Sequence, residues 1–456
     1  MRRAVNSRIG PVWLLLLATL LLGMALSMAN VQLVRFDGRA ELEKSGVATS
    51  VKPYLSLKVR GPNGSILYER TEPAHSATVW LARLLALHLG AQYQQNAVLY
   101  PVRAHGTWAW PYTATTTPST FSHYGLDNGM SVVGTGTGYQ PLTLYIAAGK
   151  SSYPSFDPTV SFLAPAPGYR FEAGPATVAL FSNATHAWVT LAATIPVSSS
   201  LAVEDVAIYL WPNTAVGSSP QTQFCANQRD VNGYCAPPVG PIATLIWWDK
   251  TTPVTVPAGG SLDVSYVFYT SFPGGGNLLS IVFSLLHTPR ASENFIIVDN
   301  AQTTYTNHFP EYHLAYTTAV PGSYTTRYLW PAVRLLWGTG TADSLGPWTP
   351  SNLVREVGAV DAATSVTIDP TSGAMIITFT GIASNTNHVP LTITEVGIRL
   401  GGVSGVGELC LRKSGAASLS CPNAGKSVLL VYLPVNITVD PGKAVQIAVK
   451  ITFSSA

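Results

Sequence analysis

The chain has 456 residues, of which 47 % are hydrophobic, 10 % aromatic and only 11 % charged, with a formal net charge of +3. That apolar content excludes a disordered chain, and so small and dispersed a charge excludes the basic footprint of a nucleic-acid binder. Abundant Gly, Pro, Tyr and Thr, with few long helical patterns, point to an all-β, loop-rich protein working outside the cell, long enough for two or three domains.

The first thirteen residues, MRRAVNSRIGPVW, carry three arginines. Val12–Ala29 then runs 18 residues without a charge, closing on Ser27-Met28-Ala29 before Asn30. Residues 1–29 therefore read as a secretory signal with a small-x-small cleavage site, or as a retained membrane anchor whose helix spans about 27 Å. Residues 30–75 hold the strand VQLVRF and the hairpin YLSLKVRGPNGSILYER, whose turn is Gly61-Pro62-Asn63-Gly64. Asn30–Glu43, with Val31, Leu33 and Phe36 apolar, is either an edge strand of its own domain or a strand donated to a neighbour.

Two units follow, at 76–272 and 273–456. VWLARLLALHL (Val79–Leu89) predicts an amphipathic helix, capped by Ser76 and ended by Gly90, and it matches LLSIVFSLLH (Leu278–His287), which fits helix or strand. LTLYIAAGKSSYPSFDPTVSFLAP (from Leu142) matches VRLLWGTGTADSLGPWTPSNLVRE (from Val333). VTLAATIPVSSSLAVEDVAIYLW (from Val189) matches MIITFTGIASNTNHVPLTITEVGIRLG (from Met375), and places Glu204 and Glu395 at matching positions as turn-capping strand-end carboxylates. Each unit closes on a Pro-Gly hairpin, VTVPAGGSLDVSYVFYTSF and ITVDPGKAVQIAVKITFSS, whose Leu262 and Val445 stand 183 residues apart. Seven or so strands per unit predict tandem antiparallel β-sandwiches of jelly-roll or immunoglobulin-like form, with one or two short helices besides the N-terminal apolar one.

Four cysteines permit three pairings. The duplication selects the local one, Cys225 with Cys235 and Cys410 with Cys421, each closing a short loop in an oxidising compartment. Asn63, Asn183 and Asn436 head N-x-S/T triplets and are glycosylation candidates.

Signals for chemistry are few. The glycines of GTGTGY (from Gly134) and GTGTAD (from Gly338) lack the strand–loop–helix setting of a nucleotide cradle and read as β-turns. In HFPEYH, Pro310 blocks the helix that would align His308 and His313 on a metal, so the segment reads as a surface loop. No Walker lysine or GxSxG elbow occurs, and nothing positions a Ser-His-Asp set. No catalytic residue, cofactor or metal site is expected. Aromatic residues are the better candidates: Trp108 and Trp110 share one face of GTWAWPY as a ligand platform, and Trp247 and Trp248 precede a copied hairpin, where a core role competes.

The order of these pieces resembles a module of virion surface and tail-associated proteins of archaeal and bacterial viruses, and of exported surface proteins of thermophilic archaea. The resemblance is carried by NGSILYERTEPAHSATVWLARLL (Asn63–Leu85), WGTGTADS (Trp337–Ser344), LTITEVGIRL (Leu391–Leu400) and the two closing hairpins. The first unit departs from the pattern, with AAGKSS and VEDVAIYL in the corresponding places. The resemblance implies a structural module and transfers no catalytic residue. The expected function is a non-enzymatic subunit of a virion surface or extracellular filament, self-associating through β-edges and apolar patches. An adhesin that binds surface glycans through Trp and Tyr platforms is the alternative, and an exported glycoside hydrolase a third reading.

Overall fold

The computed structural model describes residues 43–74, 76–89, 142–160, 163–212, 244–287, 293–310, 313–314, 328–329, 333–401, 409, 411–413 and 426–454. Residues 1–42, Trp108, Trp110, the GTGTGY element, Glu311 and the four cysteines lie outside them. The fold is mostly β, with several antiparallel sheets. Among the described residues no helix is long and apolar enough to cross a membrane.

The first strand, β1 (Glu43–Arg60), is 18 residues long and turns at Gly61–Ser65 into β2 (Ile66–Pro73). Gly64, at φ +79°, supplies the left-handed residue that the turn requires. The first half then contributes β3 (Leu142–Gly149), β4 (Phe171–Pro175), β5 (Thr177–Ser182), β6 (Ala187–Pro196), β7 (Leu201–Pro212), β8 (Thr244–Val256) and β9 (Ser261–Thr270). The second contributes β10 (Val333–Gly338), β11 (Glu356–Asp361), β12 (Ala363–Ile368), β13 (Met375–Ser384), β14 (Leu391–Gly401), β15 (Ser427–Val439) and β16 (Ala444–Phe453). Two helices, α1 (Val79–His88) and α2 (Gly275–Leu286), precede the respective halves.

The strand orders of the halves correspond. One four-stranded sheet runs β4-β3-β7-β8 and the other β11-β10-β14-β15. The remaining strands meet in one eight-stranded sheet ordered β12-β13-β16-β1-β9-β6-β5, with β2 also on β1. The 272/273 boundary thus separates stretches of chain that share a sheet. Their junction is Val51, which lies opposite Thr270 on one side and Phe453 on the other. Lys52–Arg60 continue antiparallel to β9, while Glu43–Ser50 run parallel to β16. A half-turn about an axis through Val51, normal to the sheet, exchanges β9 with β16 and so one half with the other.

Alternation explains the burial. Val51, Leu55, Leu57 and Val59 are at most 1 % exposed, Pro53 is buried in step with them, and Lys52, Tyr54, Ser56 and Lys58 face outward. They join one continuous apolar core with Leu262, Val264 and Phe268 of β9, Val445, Ile447 and Val449 of β16, and inner residues of both four-stranded sheets. The helices cross-brace it. α1 packs on β8 of its own half and β12 of the other, and α2 on β15 of its own half and β6 of the other. α2 is buried along its whole length. Its Asn277 satisfies itself on the Val298 and Leu429 carbonyls, both at 3.0 Å, and on the Val298 amide at 2.8 Å. Ser76 does not cap α1. The helix begins after Thr78, whose hydroxyl donates to the Leu245 carbonyl at 2.7 Å and so ties the helix entrance to β8.

The outer faces of the four-stranded sheets are covered by their own long loops. Residues 150–160 and 163–170 cover Tyr145, Tyr209 and Trp248 with Val160 and Leu163. Residues 339–355 cover Leu336, Leu429 and Tyr432 with Leu353.

Because β1 belongs to the core of both halves, a cavity in it weakens both. Leu55→Ala should cost about 2–5 kcal/mol. In calorimetry it should lower a single unfolding transition, and hydrogen exchange should accelerate in β9 and β16 together.

Candidate functional site

The motif residues converge at the strand ends where the long loops begin. Gly338 lies opposite Glu395 across β10 and β14, and Gly149 opposite Asp205 across β3 and β7. Asp205, not Glu204, is therefore the structural counterpart of Glu395, and Glu204 corresponds to Thr394. A register shift precedes both carboxylates, between Val203 and Asp205 and between Ile393 and Glu395. Such bulges re-aim a side chain. Here they send the acid inward and leave Glu204 at the surface, paired with Lys150 at 2.7 Å. That hydrogen bond holds the Lys150 amine above its usual range.

Glu395 is fully buried. Its Oε1 accepts the amides of Gly340 at 3.1 Å and Arg355 at 2.7 Å, and its Oε2 that of Val354 at 2.9 Å. One carboxylate thus fastens both ends of the loop 339–355. No ion pair with a basic side chain forms at it among the described residues; backbone amides, with the Tyr432 hydroxyl beside them, hold the carboxyl group. The GTGT glycines make this possible. A Cβ on Gly338 would stand 2.4 Å from Glu395 Oε1, and one on Gly340 2.8 Å. The glycines clear space for a protein carboxylate, a requirement that has nothing to do with phosphate.

In the first half Ser151 stands where Gly340 does, and the acid is one methylene shorter. Asp205, also fully buried, accepts the Ser151 amide at 2.6 Å, the Trp248 indole N–H at 2.9 Å and the Lys250 amine at 2.9 Å. Side-chain donors replace the loop amides. Trp247 and Trp248 are core residues, 1 % and 0 % exposed, and the Trp247 indole donates to Asp249 at 2.7 Å. Burial pushes the Tyr209 and Tyr266 hydroxyls well up from their usual range. Tyr209 accepts the Leu163 amide at 2.9 Å and so helps hold its loop. Carboxylates this enclosed cannot reach a substrate; their chemistry is the anchoring of loops.

His308 and His313 fall on different short strands. His308 opens a short strand, His308–Pro310, and His313 another, His313–Leu314, where the sequence suggested a loop. Extended backbone explains it, since Pro310 tolerates the end of a two-stranded ribbon. Among the described residues no cluster of three His, Cys, Asp or Glu could hold a metal.

The surface offers more. On the outward face of the eight-stranded sheet, Phe181 of β5, Trp188 of β6 and Tyr269 of β9 are consecutive cross-strand neighbours. Their near-parallel rings stand 5.8 and 6.4 Å apart between centroids, and His186 stacks on Tyr269 at 4.9 Å. A groove of about 350 Å³ lies farther along this face, floored by Ser56, Ser265 and Ala192 and walled by Lys58, Glu69 and Asp263. Its charges are already paired: Lys58 with Glu69 at 2.8 Å and Arg60 with Asp263 at 2.7 Å. Sequence reasoning passed over the aromatic row. The signal was a large ring in the polar phase of each strand, Trp188 in step with Thr190 and Thr194, and Tyr269 with Asp263 and Ser265.

Asn63, Asn183 and Asn436 are all exposed. The first two sit in hairpin turns, and Asn436 within β15.

No protein-family model, curated protein or solved structure matches this chain.

Glu395→Gln should keep the oxygen that accepts Gly340 and Arg355 and set an NH2 donor against the Val354 amide, costing about 2–4 kcal/mol of stability. Denaturant unfolding measures the loss, and hydrogen exchange should quicken first in residues 339–355. Glu204→Gln, which breaks only a surface pair, should change stability by less than about 1 kcal/mol.

Proposed function

We propose that the chain is a non-enzymatic structural subunit of a virion surface or extracellular filament, exported and assembled through β-edges. The observation that carries this reading is the edge of β1. Along Glu43–Ser50 one side pairs with β16. The opposite side, beyond the end of β9 at Thr270, has no strand partner among the described residues. After Glu43 and Lys44 at its start, the open stretch, Ser45-Gly46-Val47-Ala48-Thr49-Ser50, carries no charge and no proline, the usual devices that block strand addition. The free edge of β2, by contrast, is guarded by Glu69, Arg70 and Glu72.

The apposed strand is Asn30–Glu43 of a neighbouring copy, pairing by β-augmentation. Exposed Ile66, Leu67, Val354 and Val357, each 46–58 % accessible, supply apolar patches beside the edges. In this reading each half, with its share of the common sheet, is one of two tandem sandwiches. Cys225–Cys235 and Cys410–Cys421 clasp the corresponding loops, and residues 1–29 direct export or hold the subunit in a membrane.

Deleting residues 30–42 should abolish polymers while circular dichroism and the thermal midpoint of the rest stay unchanged. Gly46→Lys with Ala48→Lys, two exposed positions on the open edge, should do the same by charging it. Polymers that persist in electron micrographs of both variants would refute strand donation.

A further inference from the structure

We infer that Asn183 carries an N-linked saccharide whose first sugar rests on the Phe181 ring. The inference depends on export, as proposed above, and adds a site and its resting surface. Phe181-Ser182-Asn183-Ala184-Thr185 joins β5 to β6. The Asn183 amide donates to the His186 carbonyl at 2.9 Å, extending the ladder one step past the Ser182–Ala187 pair. Asn183 therefore follows Phe181 on the outward face of the sheet.

Its side chain is oriented. Oδ1 accepts the Thr185 amide at 3.0 Å, the His186 amide at 2.9 Å and the Thr185 hydroxyl at 3.2 Å. Nδ2, the atom that is glycosylated, makes no hydrogen bond among the described residues, and the residue is exposed. In the modification Nδ2 bonds to the sugar C1 of a lipid-linked saccharide phosphate. The C1–O bond breaks, the phosphate leaves with the electron pair, and an amide proton passes to a base of the transferase.

Phe181 is 48 % exposed at the end of the aromatic row, on a strand that edges the sheet. Trp188 backs one side of the ring, and no ring covers the other among the described residues. A pyranose offers C–H bonds to such a face. The other triplets lack this partner. Asn63 accepts the Ser65 amide and hydroxyl at 3.1 and 2.6 Å but has Gly61 two residues before it, and Asn436 has Pro434.

The test is secretion of the chain, behind a heterologous leader, from cells that transfer N-glycans; this makes the outcome independent of native export, which fractionation of native material decides separately. Glycopeptide mass spectrometry should find Asn183 occupied. Enzymatic removal of the glycan should lower the thermal midpoint by about 1–2 °C in the parent and not measurably in Phe181→Ala. An Asn183 left bare while Asn63 is modified would overturn the inference, as would an equal loss in parent and Phe181→Ala. So would tight binding of free oligosaccharide by the unglycosylated chain, lost on Trp188→Ala, since the rings would then serve an external ligand.

Discussion

The structure depends on the double pairing of β1. A strand has two hydrogen-bonding edges, and β1 spends them on different halves of the chain, changing its main partner at Val51. Parallel strands need a long connection, and here that connection is nearly the whole chain, since β16 closes at Phe453. The pairing therefore sets a large loop-closure cost that only extensive burial can offset. The burial is present: the inner faces of both four-stranded sheets, the facing side of the eight-stranded sheet and both helices join one apolar cluster. The crossed helices follow from the same half-turn. Each helix enters beside the central strands, and the nearest apolar surface belongs in part to the opposite half.

Within each half, the buried carboxylate does for the loop what β1 does for the sheets. The comparison of halves shows how such a device drifts while its physics is kept. Where the loop residue is Gly340, a Glu reaches three amides; where it is Ser151, the added side chain takes room and an Asp suffices. Donors lost from the backbone return as the Trp248 indole and the Lys250 amine, so each buried charge retains three donors. A buried acid without them would be among the costliest features of the fold.

Much of this is legible in the sequence. Alternation in β9, β16 and the hairpin half of β1 marked strands and faces, and the matched stretches marked the two halves as copies. What alternation cannot give is the partner. It marks which residues face inward and is silent on which strand lies alongside, so the shared sheet was invisible. The same limit misassigned the acid. Glu204 and Asp205 are adjacent carboxylates, and only the bulge after Val203 decides which points inward. Ser76 and Thr78 differ as little in sequence; the choice was made by the Leu245 carbonyl, a residue far along the chain. Trp247 and Trp248, open to either reading, are core because an acid awaits each indole.

The free edges form a last constraint. An extended sheet with three or more exposed edges invites uncontrolled addition, and a subunit that polymerises must leave one edge available and close the others. β2 is guarded by charge, and β12 by α1 packed on it. β5 carries no charge of its own, and a buried carboxylate, Glu293, meets only its Val178 amide, at 3.5 Å; the strand is Thr-Val-Ala-Leu-Phe-Ser, apolar and β-prone, with Phe181 exposed near its tip. A bulky, hydrated saccharide at Asn183 would supply the missing guard at the tip of that strand. On the function proposed, Ser45–Ser50 of β1 would then be the inviting edge left among the described residues, and strand donation and glycan placement would be two sides of one requirement.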